Sequence, residues 1–151
     1  MPLLRHAISR HYRERYRLDV PASRIAVTAG ASGALLIATG VLVDPGDEIL
    51  MPDPAYPCNR HFVRFFEGQV KSIPVGPETQ YQLTPELIEA NWSKKTRGVL
   101  IASPSNPTGT MIAPAKMRAI IDAVHARGGV AIVDEIYQGL TYASEFASAL
   151  A

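Results

Sequence analysis

Short apolar runs punctuate the chain, and a stretch of helical length separates each from the next. The runs are IAVT at 25–28, EILM at 48–51, QVKSIPV at 69–75, GVLIA at 98–102 and GVAIV at 129–133. Parallel strands cannot be joined by a tight hairpin. Each must be followed by a crossover long enough to return over the sheet, and a helix is the usual solution. The alternation therefore predicts an α/β fold: a layered, mostly parallel sheet with helices on both faces. No long linker or internal repeat divides the 151 residues, which suffice for one compact domain.

The intervening segments carry their own signals. Residues 3–17 read as a helix, with Leu4, Ile8, Tyr12 and Tyr16 recurring every fourth residue as a buried stripe. A second helix follows AGASG and runs to about residue 42, where Asp44, Pro45 and Gly46 stop it. Residues 58–66 are helical. Thr84 is an N-cap, with Pro85 in the first helical position and Leu87 and Ile88 facing inward. GPETQYQ at 76–82 reads as a surface loop, and residues 114–127 as the last helix.

Composition excludes several classes. Hydrophobic residues make up 47% of the chain, enough for a packed core. A net charge of +1 gives no electrostatic case for nucleic acid or an anionic membrane. The arginines between residues 5 and 17 read as a solvated helix face, because no second basic segment joins them. The longest apolar stretch, at 34–43, is too short to span a bilayer, and the N-terminus has no apolar signal core. One cysteine, Cys58, rules out an internal disulfide and fits a reducing compartment, so a cytoplasmic location is expected.

The chemistry lies just beyond the strands. In TAGASGA (28–34) a strand turns through Gly30, Ala31 and Ser32 into a helix, whose unpaired N–H groups and dipole favour a phosphate. In PAYP (54–57) the two prolines restrict the backbone around Tyr56, holding a ring that can stack on another flat ring. In SPSNPTG (103–109) Pro104 and Pro107 bracket Asn106, whose amide could donate to a ring oxygen. Asp134 ends an apolar strand, and a part-buried carboxylate there calls for a cationic partner such as a protonated ring nitrogen. Tyr137 follows three residues later. Read singly, each has an ordinary structural role as turn former, helix cap or core aromatic. Read jointly, they supply partners for the phosphate, face, oxygen and nitrogen of one heteroaromatic ligand at a shared sheet edge.

These joined motifs, SPSNPTG and VDEIY above all, resemble those of the class I/II aminotransferases of fold type I, the aspartate aminotransferase-like superfamily. The resemblance runs from about residue 3 to about residue 142. It implies pyridoxal 5'-phosphate (PLP) as cofactor. By the same resemblance Gly30, Ala31 and Ser32 contact its phosphate, and Tyr56 stacks on the pyridine. Asn106 and Tyr137 bond the ring's phenolic oxygen, and Asp134 pairs with the ring nitrogen. It implies substrates that are an amino acid and a 2-oxo acid, and a homodimer in the full-length form. Residues 1–151 would be part of a large PLP-binding domain, with the small C-terminal domain absent.

The family's Schiff-base lysine lies some tens of residues beyond the tyrosine. The lysines here are Lys71, Lys94, Lys95 and Lys116, and none follows Tyr137. The chain taken alone is therefore expected to be catalytically incomplete, because that lysine is both anchor and proton carrier. A non-catalytic PLP-binding or subunit-interaction role is the alternative. VTAGASGAL also resembles the glycine turn of short-chain dehydrogenases, but no tyrosine has a lysine four residues later. GVAIVDE imitates a magnesium-binding strand of P-loop ATPases, but the chain has no Gly-Lys dipeptide.

Overall fold

A computed structural model describes residues 1–142 and 147–151. In chain order it contains helix α1 (Pro2–Tyr16), helix α2 (Gly30–Leu42), strand β1 (Glu48–Asp53), helix α3 (Asn59–Phe65), strand β2 (Gln69–Pro74), helix α4 (Pro85–Asn91), strand β3 (Thr96–Ala102), helix α5 (Pro114–Ala126) and strand β4 (Val130–Asp134). Short 3-10 turns occupy Ala22–Arg24 and Pro77–Thr79. The strands form one parallel sheet in the order β2-β1-β3-β4.

The sheet divides the core in two. Successive strand residues point to opposite faces, so Ile49, Met51 and Leu100 pack on one side with Leu35 of α2 and Val63 of α3. Leu50, Val99 and Ile101 pack on the other with Ile88 of α4 and Met117, Ile120 and Val124 of α5. Both faces are covered, as an all-parallel sheet requires. The spacing of 117, 120 and 124 puts one apolar stripe of α5 against the sheet. The Thr84 hydroxyl accepts a hydrogen bond from the Leu87 N–H at 3.3 Å and Pro85 opens α4, so its start follows the local chemistry.

One contact sets the spacing of the sheet. A Cβ on Gly98 would lie 2.0 Å from the Val130 carbonyl oxygen, so β3 and β4 approach this closely only because residue 98 has no side chain. Among the described residues no helix is long and apolar enough to cross a membrane.

Three expectations are corrected. IAVT at 25–28 is not a strand: Ile25 has extended backbone, but among the described residues the segment has no ladder partner. Strand character is conferred by neighbours, and β-branched composition alone does not supply them. The stripe Leu4, Ile8, Tyr12 and Tyr16 is not buried, and no residue of α1 is. This helix packs on the Ala22–Arg24 turn and stacks Tyr12 on Tyr16 at 5.4 Å. Periodicity identifies an apolar face without saying what covers it. Finally, the 76–82 segment is not wholly a surface loop, because Gln82 at its end is buried.

Candidate functional site

Strand order creates the site. The chain passes from β1 to β2 on one side, then crosses back to β3 on the other side of β1. The direction of winding reverses between β1 and β3, and loops leaving neighbouring strands there part to open a crevice at the carboxyl ends. The N-terminus of α2 and the loops after β1, β3 and β4 meet in that crevice.

A cavity of about 270 Å³ lies there, walled by Ala31, Ser32, Tyr56, Asn106, Asp134 and Tyr137, with Leu35 and Pro104 adding apolar surface. Of the seven residues that the sequence suggests as cofactor contacts, Gly30 is the one that does not line this space. Its place is in the turn: at φ +77 it adopts left-handed backbone that a side chain would strain. A second, larger cavity of about 810 Å³ adjoins the first and shares Pro104 and Tyr137 with it.

The start of α2 is built to leave donors open. Ala29 occupies the N-cap and provides no side-chain acceptor. The Gly30 N–H turns back to the Thr28 carbonyl at 2.9 Å, and the Thr28 hydroxyl donates to the Gly30 carbonyl at 2.9 Å. The N-cap therefore claims none of the first-turn N–H groups beyond Gly30, and Ala31 and Ser32 of that turn line the cavity at the positive end of the helix dipole.

Tyr56 also lines the cavity, 39% exposed. The adjacent Cys58 thiol raises its phenol above the usual tyrosine value, through hydrogen bonding first and charge second, and burial and Tyr137 add smaller effects. The ring therefore stays neutral through the physiological range. Cys58, His61 and Arg64, also near this loop, are exposed and do not line the cavity.

The Asn106 loop is fastened by its own buried serines. The Ser103 N–H donates to the Asp134 carbonyl at 3.0 Å, and the Ser103 hydroxyl accepts from the Ile112 N–H at 2.9 Å. The Ser105 N–H donates to the Thr110 carbonyl at 2.9 Å, and the Gly109 N–H to the Ser105 carbonyl at 2.8 Å. Both serines are buried.

Asp134 is the last residue of β4, in register with Ala102 of β3. One of its carboxylate oxygens accepts from the Ile136 N–H at 3.0 Å, forming the turn that returns Tyr137 to the cavity wall. The ordinary structural role is thus present too. A carboxylate accepts several hydrogen bonds, so the turn leaves capacity for a further donor.

The lysines stand elsewhere. The Lys71 ammonium donates to the Asn91 carbonyl at 2.7 Å, at the end of α4. Lys116 lies in the first turn of α5 against a separate cavity with Glu86. None of the chain's lysines lines the space around Asp134. Sequence reading missed Gln82, whose side-chain amide donates to the Ala102 and Thr110 carbonyls on either side of the Asn106 loop.

Fold and site together define a doubly wound α/β domain whose switch-point cavity is lined by an amide, a carboxylate, two phenols and the first turn of a helix. The chain belongs to the class I and II aminotransferases: the sequence model of that family, Aminotransferase class I and II, matches residues 1–151. The chain is 39% identical over 142 residues to the valine–pyruvate aminotransferase of Mycobacterium tuberculosis, covering 94% of this chain and 36% of that protein. It is 33% identical over 147 residues to an aspartate aminotransferase of Thermotoga maritima, covering 97% and 39%. A crystal structure of an aminotransferase from Mycobacterium tuberculosis superposes with a TM-score of 0.94 at 37% identity, over 99% of this chain and 39% of that one. The chain thus spans little more than a third of the length of these relatives.

Proposed function

We propose that residues 1–151 form part of the large PLP-binding domain of an enzyme that moves an amino group between an amino acid and a 2-oxo acid. The supporting observation is that a helix N-terminus, a neutral aromatic ring, an amide, a phenol and a carboxylate wall one cavity of about 270 Å³. That donor set fits PLP in charge and in kind.

The open N–H groups of α2, with Ala31 and Ser32, would hold the phosphate dianion. Tyr56 would cover one face of the ring. The Asn106 amide and the Tyr137 phenol would donate to the ring oxygen, and the Asp134 carboxylate would keep a proton on the ring nitrogen. PLP, when bound, supplies a conjugated cation that accepts electron density from the amino acid's α-carbon. The adjoining cavity, which shares Tyr137, gives a substrate room to approach.

No lysine of these residues stands at the wall, so residues 1–151 alone would hold the cofactor without a covalent bond. Amino transfer would then need a lysine from sequence outside them, in a cytoplasmic homodimer with a small C-terminal domain. Without one, the chain is a PLP-binding or subunit-interaction protein.

A spectral titration with PLP tests the reading. The protein should show saturable binding that Asp134→Ala largely removes, with far-ultraviolet circular dichroism unchanged. Equal affinity in the two proteins would overturn it. Borohydride reduction of the loaded protein should modify no single lysine; one uniquely modified lysine, such as Lys116, would overturn the non-covalent reading.

A further inference from the structure

Gln82 belongs to none of the motifs above, yet its side chain reaches into the most specific of them. It is 4% exposed. Its amide nitrogen donates to the Ala102 carbonyl at 3.2 Å, to the Thr110 carbonyl at 3.1 Å and to the Thr110 hydroxyl oxygen at 3.2 Å. Ala102 ends β3 and Thr110 closes the SPSNPTG loop. A single amide therefore spans both stems of the loop that presents Asn106.

Two features show that the arrangement is held against resistance. Gln80 and Tyr81 have φ of +56 each, a left-handed pair without glycine, which is costly backbone for residues with side chains. This turn, fastened by the Tyr81 N–H on the Gly76 carbonyl at 2.8 Å, directs Gln82 inward beside buried Leu83. The Gln82 Oε1 on the other side of the amide is enclosed, with no hydrogen-bond partner among the described residues. An enclosed orphan acceptor is unfavourable, so the bonds made by the nitrogen must outweigh it. The orientation follows from the partners, because carbonyl oxygens can only accept.

We propose that Gln82 is a positioning residue for Asn106: its amide ties Ala102 to Thr110 and so holds the carboxamide at the cavity wall. The proposal rests on the reading of that cavity as a PLP site, but its first test does not. The loop amides of Ser105 and Gly109 are themselves hydrogen-bonded, so hydrogen exchange without PLP reports the clamp directly.

Gln82→Glu sets a carboxylate against two carbonyl oxygens, and Gln82→Met removes the amide without adding charge. Both variants should exchange the Gly109 and Ser105 amides about tenfold faster than the parent, the effect of losing one ordinary hydrogen bond, while the Val99 and Leu100 amides of β3 keep their protection. Both should weaken PLP binding by about the same factor. The conservative variant carries a signature that simple loss of packing does not. As pH falls and the new carboxyl takes a proton, it regains a donor, so the Gln82→Glu to parent ratios of loop exchange and PLP affinity should return toward one. Gln82→Met should show no such recovery.

Unchanged loop exchange in both variants would overturn the clamp, and so would loop loosening with no loss of PLP affinity in a parent that binds PLP. If Gln82→Glu also loses protection at Val99, Gln82→Met decides the matter. A parent that does not bind PLP would sink the cofactor reading, and loop exchange would still decide whether Gln82 holds the loop.

Discussion

The Ser103 N–H donates to the carbonyl of Asp134 at 3.0 Å. This bond continues the β3–β4 ladder one step past Ala102, into the loop that presents Asn106. The carboxylate at the end of one strand and the amide beyond the other are thereby set from a common backbone frame. Strand pairing, an ordinary feature of the fold, thus fixes the relation between two groups of the cavity wall that lie 28 positions apart in the chain, at 106 and 134.

Asp134 carries two roles that substitution can separate. Asp134→Asn keeps an oxygen able to accept from the Ile136 N–H but removes the charge, whereas Asp134→Ala removes both. Asp134→Asn should lose PLP affinity almost as fully as Asp134→Ala while costing less stability, with Ala the worse by about 1 kcal/mol for the lost turn bond. PLP titration and urea unfolding, run on both variants, check the separation.

Ser103→Ala should be destabilising although it removes a single oxygen. The Ile112 N–H would lose its acceptor in a buried setting. An unsatisfied buried donor costs about 1–3 kcal/mol, and the Asn106 loop should loosen with it. The check is the denaturation midpoint together with amide exchange at Ile112.

Gly98→Ala should be the most damaging of the simple changes. Its methyl would meet a backbone carbonyl, which cannot rotate aside, so β3 and β4 must separate. A loss of about 3 kcal/mol or more is expected, at or beyond the upper end for core overpacking. A melting temperature equal to the parent's would show that the strands are not this close.

Asp47 gives the fold an acid-sensitive contact. Its carboxylate receives the Arg97 guanidinium at 2.8 Å and the Asp44 N–H at 3.0 Å. These hold it below the usual carboxylate value, the Arg97 hydrogen bond contributing most and burial opposing. A pKa depressed by folding contributes stability that is present above the unfolded value, about 3.9, and disappears as pH falls through the folded one. Arg97→Met should therefore lower the urea midpoint only slightly near neutrality, because the guanidinium is largely exposed and solvent screens the pair. The difference should shrink as pH falls below the unfolded value and vanish once the folded carboxyl is protonated as well. Urea midpoints followed from neutrality down through the acid range measure it.

Much of the fold was legible in local chemistry. The Thr84 cap, the Pro85 helix start and the alternation of 49, 50 and 51 across the sheet each follow from residues within a few positions of one another. What failed depended on distant partners. IAVT had the composition of a strand but, among the described residues, no neighbouring strand to pair with, and the apolar face of α1 is only partly covered. Gln82 is instructive because its polar side chain in a Gly/Pro-rich segment reads as solvated. It is buried because two carbonyls, 20 and 28 residues further on, are brought to it.

Local patterning was enough for the order of β1 to β4 and the helices between them, though it added a strand at 25–28, and for which loops carry an amide, a carboxylate, a phenol and an open helix end. These follow from periodicity, capping and turn residues, all short-range. It took the folded chain to put β1 between β2 and β3, to open the loops onto one cavity, and to bring Gln82 against one of them. Those facts depend on which side of a strand each crossover returns to and on which distant groups burial brings within hydrogen-bonding reach, and neither is encoded in any short stretch of chain.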